Sequence, residues 1–149
     1  MNSITHLKNI TVQDEWVTPK PLLRSAMVNF DVLPFLDVAC TEENAQFFEH
    51  ITKEDDALSK EWTLDFFCNP PYSHAYDFMK KAYESHIKHN VTGLILVYAK
   101  TDTRWWHEFV ENKAEVHFIK GRVKFYLDGQ ISKNSAPYPS CWIIYRKHE

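Results

Sequence analysis

Apolar and polar positions fall in blocks along the chain, and the period changes from block to block. Leu22, Leu23, Ala26 and Met27 recur at helical spacing behind Pro19 and Pro21, which suit a first turn. Leu33 to Ala39 is a short apolar run broken by Pro34 and Asp37, and it predicts a buried strand. Thr41 as N-cap, with Glu42 and Glu43 in the first turn, predicts a short helix to about His50. Leu64 to Cys68 reads as a second strand, ended by Asn69-Pro70-Pro71. Ser73 is a candidate cap for a third helix, in which Met79, Ala82, Tyr83 and His86 share a face. Gly93 to Ala99 is the clearest buried strand, and Asp102 to Glu111 reads as a helix carrying Trp105, Trp106, Phe109 and Val110. Three strand-like runs follow, Glu115–Ile119, Arg122–Tyr126 and Cys141–Arg146. Helices and strands alternate first and strands cluster later. That order predicts an α/β sheet, largely parallel, with an antiparallel C-terminal edge hairpin.

Composition adds bounds. The 149 residues, 44% apolar and 15% aromatic, suffice for one domain spanning 1–149 with a real core and no staple. A charged fraction of 25% excludes wholesale disorder, although residues 1–13 are a candidate disordered segment. Met1 to Thr11 has no apolar core of a secretory signal, and no run nears the roughly 20 residues of a membrane helix. Cys40, Cys68 and Cys141 fit neither a disulfide framework nor a zinc signature, and read as buried free thiols in a reducing cytosol. His107 and His117 lack a partner at metal-ligand spacing, so no metal is expected. With only Gly93, Gly121 and Gly129, no dinucleotide fingerprint or phosphate loop can be written.

The net charge of −3 argues against a basic nucleic-acid coat, but the average hides a division. Residues 1–74 carry 5 Lys/Arg against 12 Asp/Glu, and residues 75–149 carry 12 against 8. An acidic half joined to a basic half suits a protein of which one part meets a polyanion.

Asn69-Pro70-Pro71-Tyr72 is the most informative stretch, because it follows a strand and precedes a helix, where open α/β sheets bind ligands. Two prolines stiffen the backbone and leave carbonyls to accept from a ligand. Asn69 adds a side-chain acceptor and Tyr72 a flat face for a planar ring. Two acceptors would hold both hydrogens of an exocyclic amine and draw its lone pair out of conjugation, ready to attack an electrophilic methyl directly. The same four residues also fit a rigid strand-to-helix turn with a packed tyrosine.

Four further candidates carry paired readings. Asp37, at a strand end, suits the amine or ribose of a nucleoside cofactor, or caps the helix near Thr41. Asp14 to Pro19, with Trp16, Thr18 and Pro19, is a flap over a cofactor or a helix entry. Lys100 and Arg104 suit phosphates and Trp106 a stacked base, or the stretch is a helix start with core tryptophans, at least one of them buried. Lys120, Arg122 and Lys124 alternate with apolar residues as an edge strand with one cationic face, for DNA or for edge protection.

These residues together resemble a known family. Asn69-Pro70-Pro71-Tyr72 is similar to the (D/N/S)PP(Y/F) motif of S-adenosylmethionine-dependent amino-methyltransferases. Asp14-Glu15-Trp16…Thr18-Pro19, Leu36-Asp37-Val38-Ala39…Glu43-Asn44-Ala45, Cys68 to Ser73, Thr101 to His107, Phe118 to Phe125 and Ser135 to Ser140 occur in that order. The succession, from about Asp14 to Arg146, resembles the phage-type DNA N6-adenine methyltransferases, the Dam family of phages and prophages. The resemblance implies a compact Rossmann-like methyltransferase sheet. It implies S-adenosylmethionine held near Trp16, Thr18, Pro19, Asp37, Val38, Ala39 and Asn69, with Asp56 near the cofactor's adenosine. Asn69, Pro70, Pro71 and Tyr72 would hold the N6 amine of an adenine flipped from double-stranded DNA. Lys100, Arg104, Lys120, Arg122 and Lys124 would meet phosphate, and the 128–138 loop would read sequence. The chain departs from the wider class where a glycine-rich loop follows the first strand, since Asp37-Val38-Ala39-Cys40-Thr41 stands there. A bacterial host cytoplasm is the expected location.

Two alternatives stay beside that expectation: methylation of RNA or of protein glutamine, and an inactive relative that only binds DNA. Cytosine-C5 methylation fits poorly, because its nucleophilic cysteine follows a proline and Cys68 precedes Asn69-Pro70 instead.

Overall fold

A computed structural model describes residues 16–52, 55–127 and 129–149. The candidate disordered segment 1–13 lies outside the described residues, as does Asp128 at the start of the candidate recognition loop. The elements in chain order are α1 (Lys20–Phe30), β1 (Leu36–Cys40), β2 (Glu49–Thr52), β3 (Phe66–Cys68), α2 (Ala75–His89), β4 (Gly93–Tyr98), α3 (Arg104–Phe109), β5 (Glu115–Phe118), β6 (Tyr126–Leu127), β7 (Gln130–Ile131) and β8 (Ser140–Tyr145). Six strands form one sheet in the order β2-β1-β3-β4-β8-β5, with β1 to β4 parallel and β8 antiparallel to both β4 and β5. The α/β, mostly parallel architecture expected from the pattern is present.

Alternation along β4 sorts the core into two layers, as a strand's period of two requires. Ile95 and Val97 face Phe78, Met79 and Ala82 of α2 and Trp105, Trp106 and Phe109 of α3. Leu94, Leu96 and Tyr98 face Leu23 and Ala26 of α1, joined by Val123, Phe125 and Trp142. Gly93 opens β4 because a Cβ there would lie 2.5 Å from Cζ of Phe66 on the neighbouring strand. The three cysteines are free and buried. Burial pushes the Cys68 thiol well above its usual value and the Cys141 thiol up to about 12, so both are inert packing groups.

Three local expectations are corrected. No helix runs from Thr41 to His50. Thr41 and Asn44 instead cap each other, Asn44 N donating to Thr41 Oγ1 (3.3 Å) and Thr41 N to Asn44 Oδ1 (2.7 Å), and the chain turns into β2. Gln46 N donates to the Asp37 carboxylate (2.9 Å), so the backbone that a helix would use is tied to β1. Arg122–Tyr126, read as a strand, does not join the sheet, whose antiparallel C-terminal edge is made by β8 and β5. β5 pairs with β8, and residues 122–125 run beside the sheet, with Ala136 N donating to the Val123 carbonyl and Ser132 N to that of Phe125. Their alternation is real, since Val123 and Phe125 are buried and Arg122 and Lys124 exposed, but their partners lie in a loop rather than in the sheet. Finally, Ser73 lies within a 3₁₀ turn, Tyr72–His74, and α2 begins after it with His74 at the N-cap.

Candidate active site

The strand order places the site. β1 sits between β2 and β3, so the chain leaves β1 toward one side and returns on the other. The carboxyl ends of β1 and β3 therefore flank the reversal point, where such sheets open a crevice. Asp37 to Cys40 ends β1 and Asn69 to Tyr72 follows β3. A narrow, mostly polar cleft, open to solvent, lies between them. Trp16, Thr18, Asp37, Ala39, Asn69 and Pro71 are among its walls.

Asp37 is 2% exposed. Its carboxylate accepts from Gln46 N (2.9 Å) and Ala39 N (3.3 Å). Burial outweighs both bonds and the nearby His50, and raises its pKa to about 6. A buried carboxylate at a cleft wall, ionised at neutral pH against that cost, is suited to a cationic ligand group. The capping reading is met only in part, because the N–H groups it holds belong to a turn and not to a helix.

Thr18 is 1% exposed, and among the described residues its Oγ1 has no hydrogen-bond partner. Buried hydroxyls are normally paired, so an orphan in a cleft wall marks a place for a ligand's polar atom. Its carbonyl accepts from Gln46 Nε2 (3.0 Å), which ties the N-terminal segment to the turn after β1. Trp16 is half-buried and stacks on Phe125 (5.5 Å between centroids).

Asn69 donates through Nδ2 to the Trp16 carbonyl (3.1 Å), an assignment that turns Oδ1 away as an acceptor. The Tyr72 hydroxyl donates to that Oδ1 at 3.4 Å, a long bond that leaves its second lone pair. Of the two proline carbonyls, Pro71 is engaged, accepting from His74 N (2.9 Å) in the 3₁₀ turn. Pro70 has no such partner among the described residues. The acceptor pair read from the sequence thus narrows to Asn69 Oδ1 and the Pro70 carbonyl. The Tyr72 ring lies parallel to Tyr98, 4.1 Å between centroids and 11° between planes, with Phe125 edge-on.

A side pocket beside the cleft is lined by Val38, Ala39, Asp56, Leu58, Pro71 and Phe78. Asp56 stands there in the left-handed region (φ 53°), in a turn held from below by buried Trp62, whose Nε1 donates to the Ala57 carbonyl (3.0 Å). Sequence reasoning missed Asn44 and Gln46 in the cleft wall, Tyr98 under Tyr72, and Trp62. The signal for the first two was their place just after β1, with Asn44 also inside the Glu43-Asn44-Ala45 stretch of the family resemblance; Trp62 lies in no patterned run.

The basic candidates reach the same rim. β5 runs antiparallel to β8, and β8 to β4, so β5 points the same way as β4 and the chain after it, from residue 119, leaves at the carboxyl edge. Lys120, Arg122 and Lys124 are exposed on that segment, Arg122 donating to the Ala136 carbonyl (3.3 Å). Lys100 follows β4, its Nζ 4.3 Å from the Tyr138 ring centroid. Arg104 is exposed but already engaged, paired with Glu108 and lying over Tyr76. Trp106 is corrected: at 7% exposed it packs in the core layer under α3 and offers no face to a base. Trp105 is buried beside it, so both indoles are core residues.

The open sheet with a polar cleft at its reversal point is that of an α/β protein, a class in which ligands bind at the strand ends. A family model described as DNA N-6-adenine-methyltransferase (Dam) matches residues 5–149. The chain is 30% identical over 115 residues to a DNA N-6-adenine-methyltransferase of Haemophilus phage HP1 (strain HP1c1), covering 76% of this chain and 66% of that one. It is 31% identical over 120 residues to a DNA N-6-adenine-methyltransferase of Escherichia phage T1, covering 79% and 50%. The chain thus spans just under two thirds of one relative and half of the other. It belongs to the Dam family. No helix among the described residues is long and apolar enough to cross a membrane.

Proposed function

We propose that the protein transfers a methyl group from S-adenosylmethionine to the N6 amine of adenine in double-stranded DNA, by direct attack from a flipped base. The observation that carries the reading is the Asn69–Tyr72 turn, whose Asn69 and Pro71 line the same cleft as the buried Asp37 and Thr18.

The cleft residues fit the cofactor. Asp37 would hold the amine of its methionine part, the unpartnered Thr18 hydroxyl another polar atom, and Asp56 with Leu58 and Phe78 the nucleoside. Trp16, Val38 and Ala39 would complete the enclosure, and Pro19, at the N-cap of α1, would support Thr18 from outside the cleft. Bound there, S-adenosylmethionine supplies an electrophilic methyl. Asn69 Oδ1 and the Pro70 carbonyl accept the two amine hydrogens of the adenine, which localises the nitrogen lone pair for attack. Tyr72 presents a ring to the base. Adenine must leave the stack for its amine to reach these acceptors. Lys100, Lys120, Arg122 and Lys124 bind phosphate, with Arg104 a lesser contributor, and the 128–138 loop reads sequence. The enzyme works in the cytoplasm of a bacterial host.

Labelled S-adenosylmethionine with duplex DNA, RNA and protein substrates tests this. Label is expected in duplex DNA as N6-methyladenine and absent with Asn69→Ala. Label confined to RNA or protein, or equal in wild type and variant, overturns it.

A further inference from the structure

Residues 16–18 are where three parts of the site meet. From the Asn69–Tyr72 turn, Asn69 Nδ2 donates to the Trp16 carbonyl (3.1 Å). From the turn after β1, Gln46 Nε2 donates to the Thr18 carbonyl (3.0 Å), while the Gln46 N–H holds Asp37. Between them, Val17 N donates to the Tyr126 carbonyl (2.8 Å) and Tyr126 N to the Val17 carbonyl (2.9 Å). Tyr126 directly follows the basic stretch that begins at Lys120.

Phe125 repeats this junction in side chains. It is 0% exposed, stacks on Trp16 (5.5 Å between centroids, 22° between planes) and meets the Tyr72 ring edge-on (6.2 Å, 73°). The sequence shows it only as an apolar position next to a basic one. Lys124 before it is exposed, so one residue faces solvent and the next is packed against Trp16 of the cleft wall. The segment lies beside the sheet and not in it, so its position rests on contacts such as these. A ligand that fixes residues 16–18 therefore fixes part of the basic segment too, and a ligand on the segment fixes residues 16–18. Ordering shared between two sites is felt by both ligands.

We propose that Phe125 is a positioning residue through which cofactor binding at the 16–18 wall and DNA binding on the basic segment reinforce each other. The inference rests on the proposed function of the cleft and of the lysines. Phe125 touches neither ligand; it acts through Trp16 and the Val17–Tyr126 bridge. The factor by which cofactor tightens DNA binding equals the factor by which DNA tightens cofactor binding.

The test uses a fluorescent duplex that the wild type methylates, titrated by anisotropy with and without S-adenosylhomocysteine, which carries no methyl to transfer. In wild type, S-adenosylhomocysteine is expected to tighten the DNA Kd about 5- to 20-fold. In Phe125→Leu that ratio is expected to fall below two-fold, while DNA alone binds within about three-fold of wild type because the lysines remain. Partial unfolding scales both titrations alike, so it does not erase the ratio. Hydrogen exchange on the wild type gives a second reading that needs no variant: S-adenosylhomocysteine alone, and duplex alone, are each expected to slow exchange of the Val17 and Tyr126 amides about five-fold or more. A wild-type ratio of one, an undiminished ratio in Phe125→Leu, or a Tyr126 amide indifferent to S-adenosylhomocysteine overturns the inference and leaves the proposed function standing. A wild type that methylates no DNA overturns both.

Discussion

Replacing Asp37 by asparagine is expected to stabilise the free protein while removing its hold on the cofactor. The carboxyl group is buried, and its pKa stands at about 6 against 3.8 in an exposed chain. Two pKa units correspond to about 3 kcal/mol. The neutral carboxyl is the form the fold prefers. Its contribution to stability is complete below pH 3.8 and is lost as pH rises through 6. Asparagine carries no charge, so the variant lacks this loss. It keeps one acceptor oxygen for Gln46 N or Ala39 N and turns its NH2 toward the other, which costs about 1 kcal/mol. The net gain at pH 7.5 is about 1–2 kcal/mol, or about 3–6 °C in Tm for a chain of this size. Near pH 4.5 the gain vanishes. Urea unfolding of both proteins from pH 4.5 to 8 reads this directly, because every other carboxylate titrates alike in the two and cancels in the difference. Calorimetric titration with S-adenosylmethionine should show the opposite effect, a Kd about 10- to 100-fold weaker for the loss of a charged hydrogen bond. Parallel stability curves across that pH range would refute the burial argument. An unchanged Kd would refute the assignment of Asp37 to the cofactor.

Three shorter expectations follow. Gly93→Ala puts a methyl against the Phe66 ring and should lower the urea-unfolding stability by about 1–3 kcal/mol, with no change in cofactor affinity. Lys120→Ala and Lys124→Ala should each reduce the slope of log binding constant against log salt by about 1 on any duplex, measured by fluorescence anisotropy; an unchanged slope removes that residue from the phosphate contacts. Trp106→Phe should lose on the order of 1–2 kcal/mol of stability while DNA affinity at fixed salt stays within two-fold, and a selective loss of affinity would return Trp106 to the interface.

The elements that could be read from sequence are those whose own side chains decide them. β4 is six consecutive buried residues, and α1 has its apolar stripe behind two prolines; each state follows from local pattern. The two failures share a cause. Thr41 to His50 has a cap and an acidic first turn, but Gln46 N donates to Asp37, nine residues back, while Thr41 N and Asn44 N go to each other's side chains. Residues 122–125 alternate correctly, yet their carbonyls bind Ser132 and Ala136. In both, a partner seven to thirteen residues away takes the backbone group, and apolar periodicity does not encode such a bond. The same holds for the site. Asn69-Pro70-Pro71-Tyr72 is contiguous and was visible, whereas the support beneath it comes from Trp16, Tyr98 and Phe125.

The antiparallel strand β8 explains why an acidic half and a basic half of the chain meet at one place. Had β5 followed β4 as a direct antiparallel neighbour, it would point down and its basic continuation would leave at the amino edge, away from Asn69. With β8 inserted between them, β5 runs with β4, and Lys120, Arg122 and Lys124 emerge on the rim that carries Asp37 and Asn69. The Val17–Tyr126 bridge, with both backbone N–H groups donating across it, then draws the end of that basic segment onto the N-terminal wall of the cleft. Charge separated along the sequence becomes charge juxtaposed in space. On the proposed function, the acidic cleft wall takes a cationic ligand group and the flanking lysines take a polyanion. An opposite assignment, with the cation on the lysine segment or phosphate against Asp37, fails on sign alone.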